Sequence, residues 1–420
     1  MDYLIKGGQV VFKDCVKQSD IFVKNGKIEK LGIDLKPEHA EIIDAKGLVI
    51  FPGLVDMHVH FRDPGFTYKE DILTGSEAAA AGGVTAVACM PNTSPPIDSA
   101  KMLEYIKNRS KEAKIKIYQI ASITKGLKGT ELVDFRELVS NGAVGFSDDG
   151  YPVKNSALLK SAMSYADQLN VPIISHCEDL DIVNGGIINN GIVSRQLGVK
   201  GIDRSSEDSV TAREIAIAAA TNTAIHIAHV STIGSVELIR DAKRRGVRVT
   251  AETCPHYFML TETELLKMDA DYRMNPPLRT EEDKKAITQA VLDGTIDCIV
   301  TDHAPHGAIE KEDFLNAPNG IVGLETSLAC VLTEFYHTKK LNLPEIAKLM
   351  SLNPCKILKI EGGEIKEGAA CDLAIVDLNR SWVVDPKKFK SKGKNSAFKG
   401  MTLKGKVCKT LCNGKLVFSD

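Results

Sequence analysis

Between residues 54 and 301 the chain repeats one pattern, a short apolar run followed by a loop and a helix-length segment. Eight apolar runs stand out, at 54–60, 84–90, 115–121, 143–147, 171–177, 224–230, 247–250 and 297–301. Helical stretches such as 68–81, 99–113, 156–169, 209–220, 234–245 and 281–292 lie between them. Short β-branched runs bounded by turn residues read as buried strands, and strands alternating with helices read as parallel β-α-β units. Eight such units are the sequence form of a (β/α)8 TIM barrel, a fold of about 250 residues. An open, doubly wound sheet is the competing architecture.

The two ends of the chain have another texture. Residues 1–50 hold short strands separated by turns at Gly7-Gly8, Asn25-Gly26 and Lys46-Gly47, and Asn-Gly between apolar runs signals a hairpin. From residue 364 to 420 the texture returns, with Asn413-Gly414 ahead of Leu416-Val417-Phe418. The expectation is one small β domain built from 1–50 and 364–420, and a barrel over 51–363. With 420 residues, 43% of them hydrophobic, the chain can bury a core for both.

A formal charge of −2 gives no global field to attract nucleic acid or an acidic membrane. No apolar run has the length of a membrane span, and the N-terminus reads as a strand and turn rather than a signal peptide. The ten cysteines are scattered and form no Cys-x-x-Cys pair, which suits buried thiols in a reducing cytoplasm. The one local basic run, from Lys387 to Lys399, reads as a solvated loop.

A barrel carries its active site at the C-terminal ends of its strands. The first strand delivers His58 and His60, which point to one side because side chains alternate, with Arg62 and Asp63 just beyond. Asn92, suited to bind a carboxylate, follows the second, and Asp148-Asp149-Gly150 the fourth. The fifth ends at His176 and Glu178, the sixth at His229, and the eighth at Asp302, with His306 four residues on. Each has a bland reading: His176 and His229 as satisfied interior histidines, Asp149 as a turn residue, Asp302 as a helix cap, Arg62 as a surface ion pair. Jointly these fail, because independent accidents would not gather at one end of one barrel. Four histidines and two carboxylates exceed the ligands of one tetrahedral zinc, which points to two neighbouring metals sharing a carboxylate. The segments after the seventh strand (252–279) and after the eighth are long, as substrate-covering loops are.

These histidines and Asp302 resemble the amidohydrolase superfamily. The words DMHVHFRDPG, MPNT, GFSDDG, SHCED, AHVST, CPHYF, MNPPLR, TDHAPH and APNGIVGLET, with the ending GKVCKTLCNGKLVF, resemble dihydroorotases of the bacterial and archaeal type over nearly the whole chain. The resemblance implies reversible conversion of N-carbamoyl-L-aspartate to L-dihydroorotate in pyrimidine synthesis, with one or two Zn2+ per chain. It implies that His58 and His60 hold one metal and His176 and His229 the second, with Asp302 a ligand of the first and the proton shuttle. Many superfamily members bridge the metals with a carbamylated lysine on the fourth strand, and this chain departs from that: no lysine lies in 143–149. Asp149 takes the bridging place by its spacing to His176, as in one branch of dihydroorotases, with Asp148 behind it. Arg62 supplies a cation for the substrate carboxylate, and the resemblance adds His60, Asn92, Asn275 and His306 as substrate contacts, with Asn319 and Gly320 bordering the ring.

Opening a cyclic amide needs a better nucleophile than neutral water. On zinc the pKa of water falls to about 7, so a metal-bound hydroxide attacks the ring carbonyl while Asp302 takes its proton and passes it to the leaving nitrogen. Hydantoinase and allantoinase are the enzymatic rivals; they share the histidines but should carry the bridging lysine. A catalytically silent barrel kept for assembly is the rival from another class. Oligomeric state stays open, with a homo-oligomer and, as for some of this branch, a complex with aspartate transcarbamoylase as the assemblies to consider.

Overall fold

A computed structural model of the chain describes residues 2–420. Leu54–Val59, Val84–Cys89, Lys116–Ala121 and Ala143–Phe146 form a parallel sheet in sequence order. Ile174–Ser175, Ile225–Ile227, Val249–Thr253 and Cys298–Ile299 form a second. Parallel bridges Phe146↔Ile173 and Val59↔His303 join the two, and His60 N donates to His303 O at 2.8 Å. The sheets therefore close into an eight-stranded barrel, and the open-sheet alternative falls. Closure leaves no unpaired strand edge.

Strands buried on both faces favour near-continuous apolar runs, and in Val84–Cys89, all of it buried, Thr85 is the one polar residue. The fifth strand is Ile174–Ser175 rather than 171–177, and at its start Pro172 has no N–H to give to the ladder. The first helix is Ile72–Ala81 rather than 68–81. Asp71 caps it by accepting from Leu73 N and Thr74 N, so residues 62–70 remain a loop at the barrel mouth. Thr280 and Asp283 make a reciprocal capping box at the start of Glu281–Leu292.

Both chain ends enter one six-stranded sheet, in the order Lys415–Ser419, Thr402–Cys412, Leu373–Val383, Val49–Pro52, Gln9–Val11, Val16–Gln18. A four-stranded sheet, Lys27–Gly32, Asp20–Lys24, Tyr3–Lys6 and Glu41–Asp44, lies beside it. Alternation explains why the shared strands are apolar on both sides. Val49, Phe51, Ala374 and Val376 join the barrel core, while Ile50, Leu373 and Ile375 join the small-domain core. Val49–Pro52 straddles residue 50, so the chain passes into the barrel at Gly53.

Both Asn-Gly turns form hairpins, between Asp20–Lys24 and Lys27–Gly32 and between Thr402–Cys412 and Lys415–Ser419. Their tips touch: a Cβ on Gly414 (φ 70°) would lie 2.5 Å from Gly26 Cα. Only glycine fits there.

The lysine-rich run departs from its reading as a solvated loop. Its lysines at 387, 388, 390, 392, 394 and 399 are exposed, but Ser391, Asn395, Ser396, Ala397 and Phe398 are buried. The segment lies against backbone at the barrel mouth, so every residue that turns inward loses solvent. All ten cysteines are free, eight of them buried. Among the described residues no helix is long and apolar enough to cross a membrane.

Candidate active site

His58, His60, Asp149, His176, His229 and Asp302 converge at the C-terminal mouth of the barrel, each at most 8% exposed. His58 Nε2 lies 3.4 Å from Asp149 Oδ1 and 3.7 Å from Asp302 Oδ1. His60 Nε2 lies 3.0 Å from Asp302 Oδ1 and 3.6 Å from Asp149 Oδ2. On the other side His176 Nδ1 is 3.4 Å from Asp149 Oδ1 and 2.8 Å from His229 Nε2. Two metal-compatible trios result, His58–His60–Asp149 and Asp149–His176–His229, with the ligand atoms of each within 4.8 Å of one another. Asp149 belongs to both.

Asp148 points elsewhere. Its Oδ1 accepts from Ile123 N at 2.7 Å and Thr124 N at 3.1 Å, and the Thr124 hydroxyl donates to its Oδ2. Burial pushes its carboxyl up to about 6. Of the adjacent aspartates, only Asp149 lies between the histidine pairs.

The donor set fits a divalent cation such as Zn2+. His58 Nε2 and Asp149 Oδ1 are buried with no hydrogen-bond partner, a costly arrangement unless another group satisfies them. Charge points the same way. Burial works against the His58 imidazolium, yet Glu252 and Asp149 outweigh it and hold that group well above the usual histidine range. Burial also disfavours the Asp149 carboxylate, but His58, His176 and His229 hold it well below the usual carboxylate range. Imidazole nitrogen and carboxylate oxygen are the ligands zinc takes. A third trio, His226–Glu252–Cys298, lies within the same spacing, but there His226 and Glu252 are already hydrogen-bonded.

Three of the four rings have a polar partner behind them. His58 Nδ1–H donates to Glu252 Oε1 at 2.6 Å, and Glu252 Oε2 is 3.0 Å from His226 Nε2. His60 Nδ1–H donates to Asn92 Oδ1 at 2.9 Å, while Asn92 Nδ2 donates to Asp149 Oδ2 at 3.1 Å. Both ends of the Asn92 amide are thus engaged with ligand candidates. Behind His176, Nε2 lies 3.4 Å from Glu178 Oε2, and Asn275 Nδ2 donates to that oxygen at 3.1 Å. Such outer partners turn the ring's free lone pair toward a metal.

Arg62 is half-buried at the barrel mouth and makes no carboxylate ion pair among the described residues; its Nε donates to Pro305 O at 3.3 Å. His306 Nδ1 accepts from Lys69 Nζ at 3.2 Å, so Nε2 carries the proton and donates to Asn319 O at 2.9 Å. Burial, reinforced by Arg62, Lys69 and Lys311, pushes the His306 imidazole down to about 2 and keeps it neutral. Asn275 Oδ1 and Asn319 Oδ1 are buried without donors. A Cβ on Gly320 (φ 131°) would lie 2.7 Å from Ala304 Cβ and 3.1 Å from His306 Nε2, so the chain passes tight against the ring.

Several supporting groups escape the sequence reading. Glu252 sits inside an apolar run, and its charge there is the one local signal of a buried role. Asp56 accepts from Thr301 N at 3.1 Å and His58 N at 3.1 Å, locking the first strand to the eighth. Arg62 (φ 59°), His229 (φ 33°) and Asp302 (φ 48°) hold left-handed backbone. Strain of this kind collects where the surrounding structure forces a side chain into place.

A family profile described as Dihydro-orotase-like matches residues 47–235. The solved dihydropyrimidinase of Brevibacillus agri superposes with a TM-score of 0.89 at 24% identity, over 100% of this chain and 95% of that one, and shows the shared fold. The L-hydantoinase of Arthrobacter aurescens does so with a TM-score of 0.89 at 26% identity, over 100% and 96%. The dihydroorotase of Syntrophus aciditrophicus is 46% identical over 426 residues, covering 100% of both chains. That of Geobacter metallireducens is 48% identical over 423 residues, again 100% of both. These alignments span barrel and β domain alike, and this chain belongs to the dihydroorotase family.

Proposed function

We propose that the chain interconverts L-dihydroorotate and N-carbamoyl-L-aspartate, the ring-closing step of pyrimidine synthesis, at the mouth of its barrel. The observation that carries this reading is the unpaired, half-buried Arg62 guanidinium beside a histidine–carboxylate cluster. A half-buried cation with no direct ion pair among the described residues is matched by a substrate carboxylate, which a guanidinium binds in a bidentate way. His58 and His60 would hold one Zn2+ and His176 and His229 a second, with Asp149 between them and Asp302 on the first; metal bound there supplies a Lewis acid for water and ring carbonyl.

The chain's own groups do the rest. Asp302 Oδ1 takes the proton of the attacking water and delivers it to the departing ring nitrogen; closure reverses the order. Asn275 Oδ1 and Asn319 Oδ1, buried without donors, accept from the ring N–H groups. His306, neutral, holds the Asn319 carbonyl, Gly320 lets the backbone pass close against Ala304 and His306 at the border of the substrate ring, and Asn92 steadies His60 and Asp149 beside the substrate. The segments after the seventh and eighth strands keep bulk water out. Ten free thiols support a reducing, cytoplasmic setting.

The test sets dihydroorotate, hydantoin and allantoin side by side, with zinc per chain measured on the same sample. Dihydroorotate should be the preferred substrate, and Asp302→Asn should lower its turnover by about 10²–10⁴-fold. Preferred turnover of hydantoin or allantoin, or undiminished activity of Asp302→Asn, overturns the reading. The assay is run with and without an aspartate transcarbamoylase, so that dependence on a partner is read as such, and light scattering reports self-association.

A further inference from the structure

The lysine-rich segment near the C-terminus has no part in the reaction as proposed, yet it reaches the site. Asn395, 4% exposed, uses its whole amide on the two backbone stretches that carry the substrate-side residues. Its Oδ1 accepts from His306 N at 3.1 Å, and its Nδ2 donates to Ala304 O at 3.1 Å and Gly320 O at 3.0 Å. Its backbone carbonyl accepts from Val322 N at 2.9 Å. Four hydrogen bonds from one residue therefore hold 304–306 and 320–322 at a set distance. No group within either stretch replaces the acceptor that His306 N uses.

The approach is close as well as polar. A Cβ on Gly393 would lie 2.6 Å from Pro305 Cβ and 2.9 Å from Asn395 Oδ1. Pro305 O is in turn the acceptor for Arg62 Nε. A shift of this segment thus moves the beds of Arg62, His306 and Asn319 together. The four histidines and Asp149 sit on the ends of other strands, and Asp302, two residues before Ala304, is tied on its own side by His60 Nε2 at 3.0 Å.

We propose that Asn395 is a positioning residue for recognition of the substrate carboxylate. It touches no substrate; it sets the spacing between His306 and Gly320 and the surface on which Arg62 lies. Groups that bind the substrate away from the reacting bond act on KM rather than kcat, provided the backbone beneath them holds them in place. The inference rests on the reading of Arg62, His306 and Asn319 as the substrate side.

The experiment is steady-state kinetics on dihydroorotate with the full-length zinc-loaded enzyme. Asn395→Ala should raise KM about tenfold, with kcat and zinc content unchanged. Gly393→Ala, which crowds Pro305 without removing a polar group, should raise KM in the same direction and serves if Asn395→Ala does not fold. Ser391→Ala is the control: its hydroxyl, on the same segment, donates to Glu70 instead, so it should lower the melting temperature while leaving KM at the wild-type value. A fall in kcat alongside KM, or an equal KM shift in Ser391→Ala, assigns Asn395 a merely structural role and overturns the proposal. Arg62→Gln runs in parallel. If it leaves KM unchanged, the carboxylate reading fails; if it raises KM while Asn395→Ala and Gly393→Ala do not, that reading stands and the role of Asn395 falls.

Discussion

The four histidines are alike in type and unlike in what stands behind them. His58 donates to a wholly buried carboxylate, His60 to an amide, His176 faces Glu178 at 3.4 Å, and His229 Nδ1 has no partner. A carboxylate behind the ring fixes the tautomer and raises the basicity of the nitrogen facing the metal. Glu252→Gln should therefore weaken zinc binding about 10–100-fold, read by competition against a chromophoric chelator. Unchanged affinity in that variant would show that His58 holds its orientation without Glu252.

At the scale of elements, the site depends on how the loops after strands are tied down. Glu325, in the segment after the eighth strand, accepts from Lys390 N at 2.8 Å and Ser391 N at 3.1 Å and so anchors the stretch that bears Asn395. Burial pushes its carboxyl up to about 7. A group whose folded pKa is raised stabilises fully below its unfolded value and loses that contribution as pH climbs through the folded one. The window runs from the ordinary glutamate value of 4.5 to about 7. Glu325→Gln should accordingly gain in melting temperature relative to the wild type between pH 5 and pH 7.5. A difference that stays flat across that range would mean that Glu325 titrates normally.

At the scale of the whole molecule, the small domain is continuous with the barrel. Leu373–Val383 pairs with Val49–Pro52 and puts Ala374 and Val376 into the barrel core, and Thr410 Oγ1 donates to Ala80 O on the first barrel helix. A chain ending at residue 363 should leave Val49–Pro52 without one of its two neighbours and expose both cores, which a soluble-yield assay and circular dichroism would report as failure to fold. A soluble, zinc-binding 1–363 fragment would show instead that the barrel stands alone.

Much of this architecture is written locally. Apolar runs of strand length, capping residues such as Asp71 and Thr280, and the two Asn-Gly turns act over a few neighbours, so element order, the closed barrel and the histidines at its strand ends are legible in the sequence. Local pattern tells which face of a strand is buried, but not what it is buried against. Asp148 and Asp149 are adjacent and chemically the same, and only the loop at 123–124, by capturing one, leaves the other for the histidines. Glu252 meets His58 across 194 residues and Asn395 meets His306 across 89. Such pairings are set by the packing of distant backbone, which no periodicity along the chain encodes.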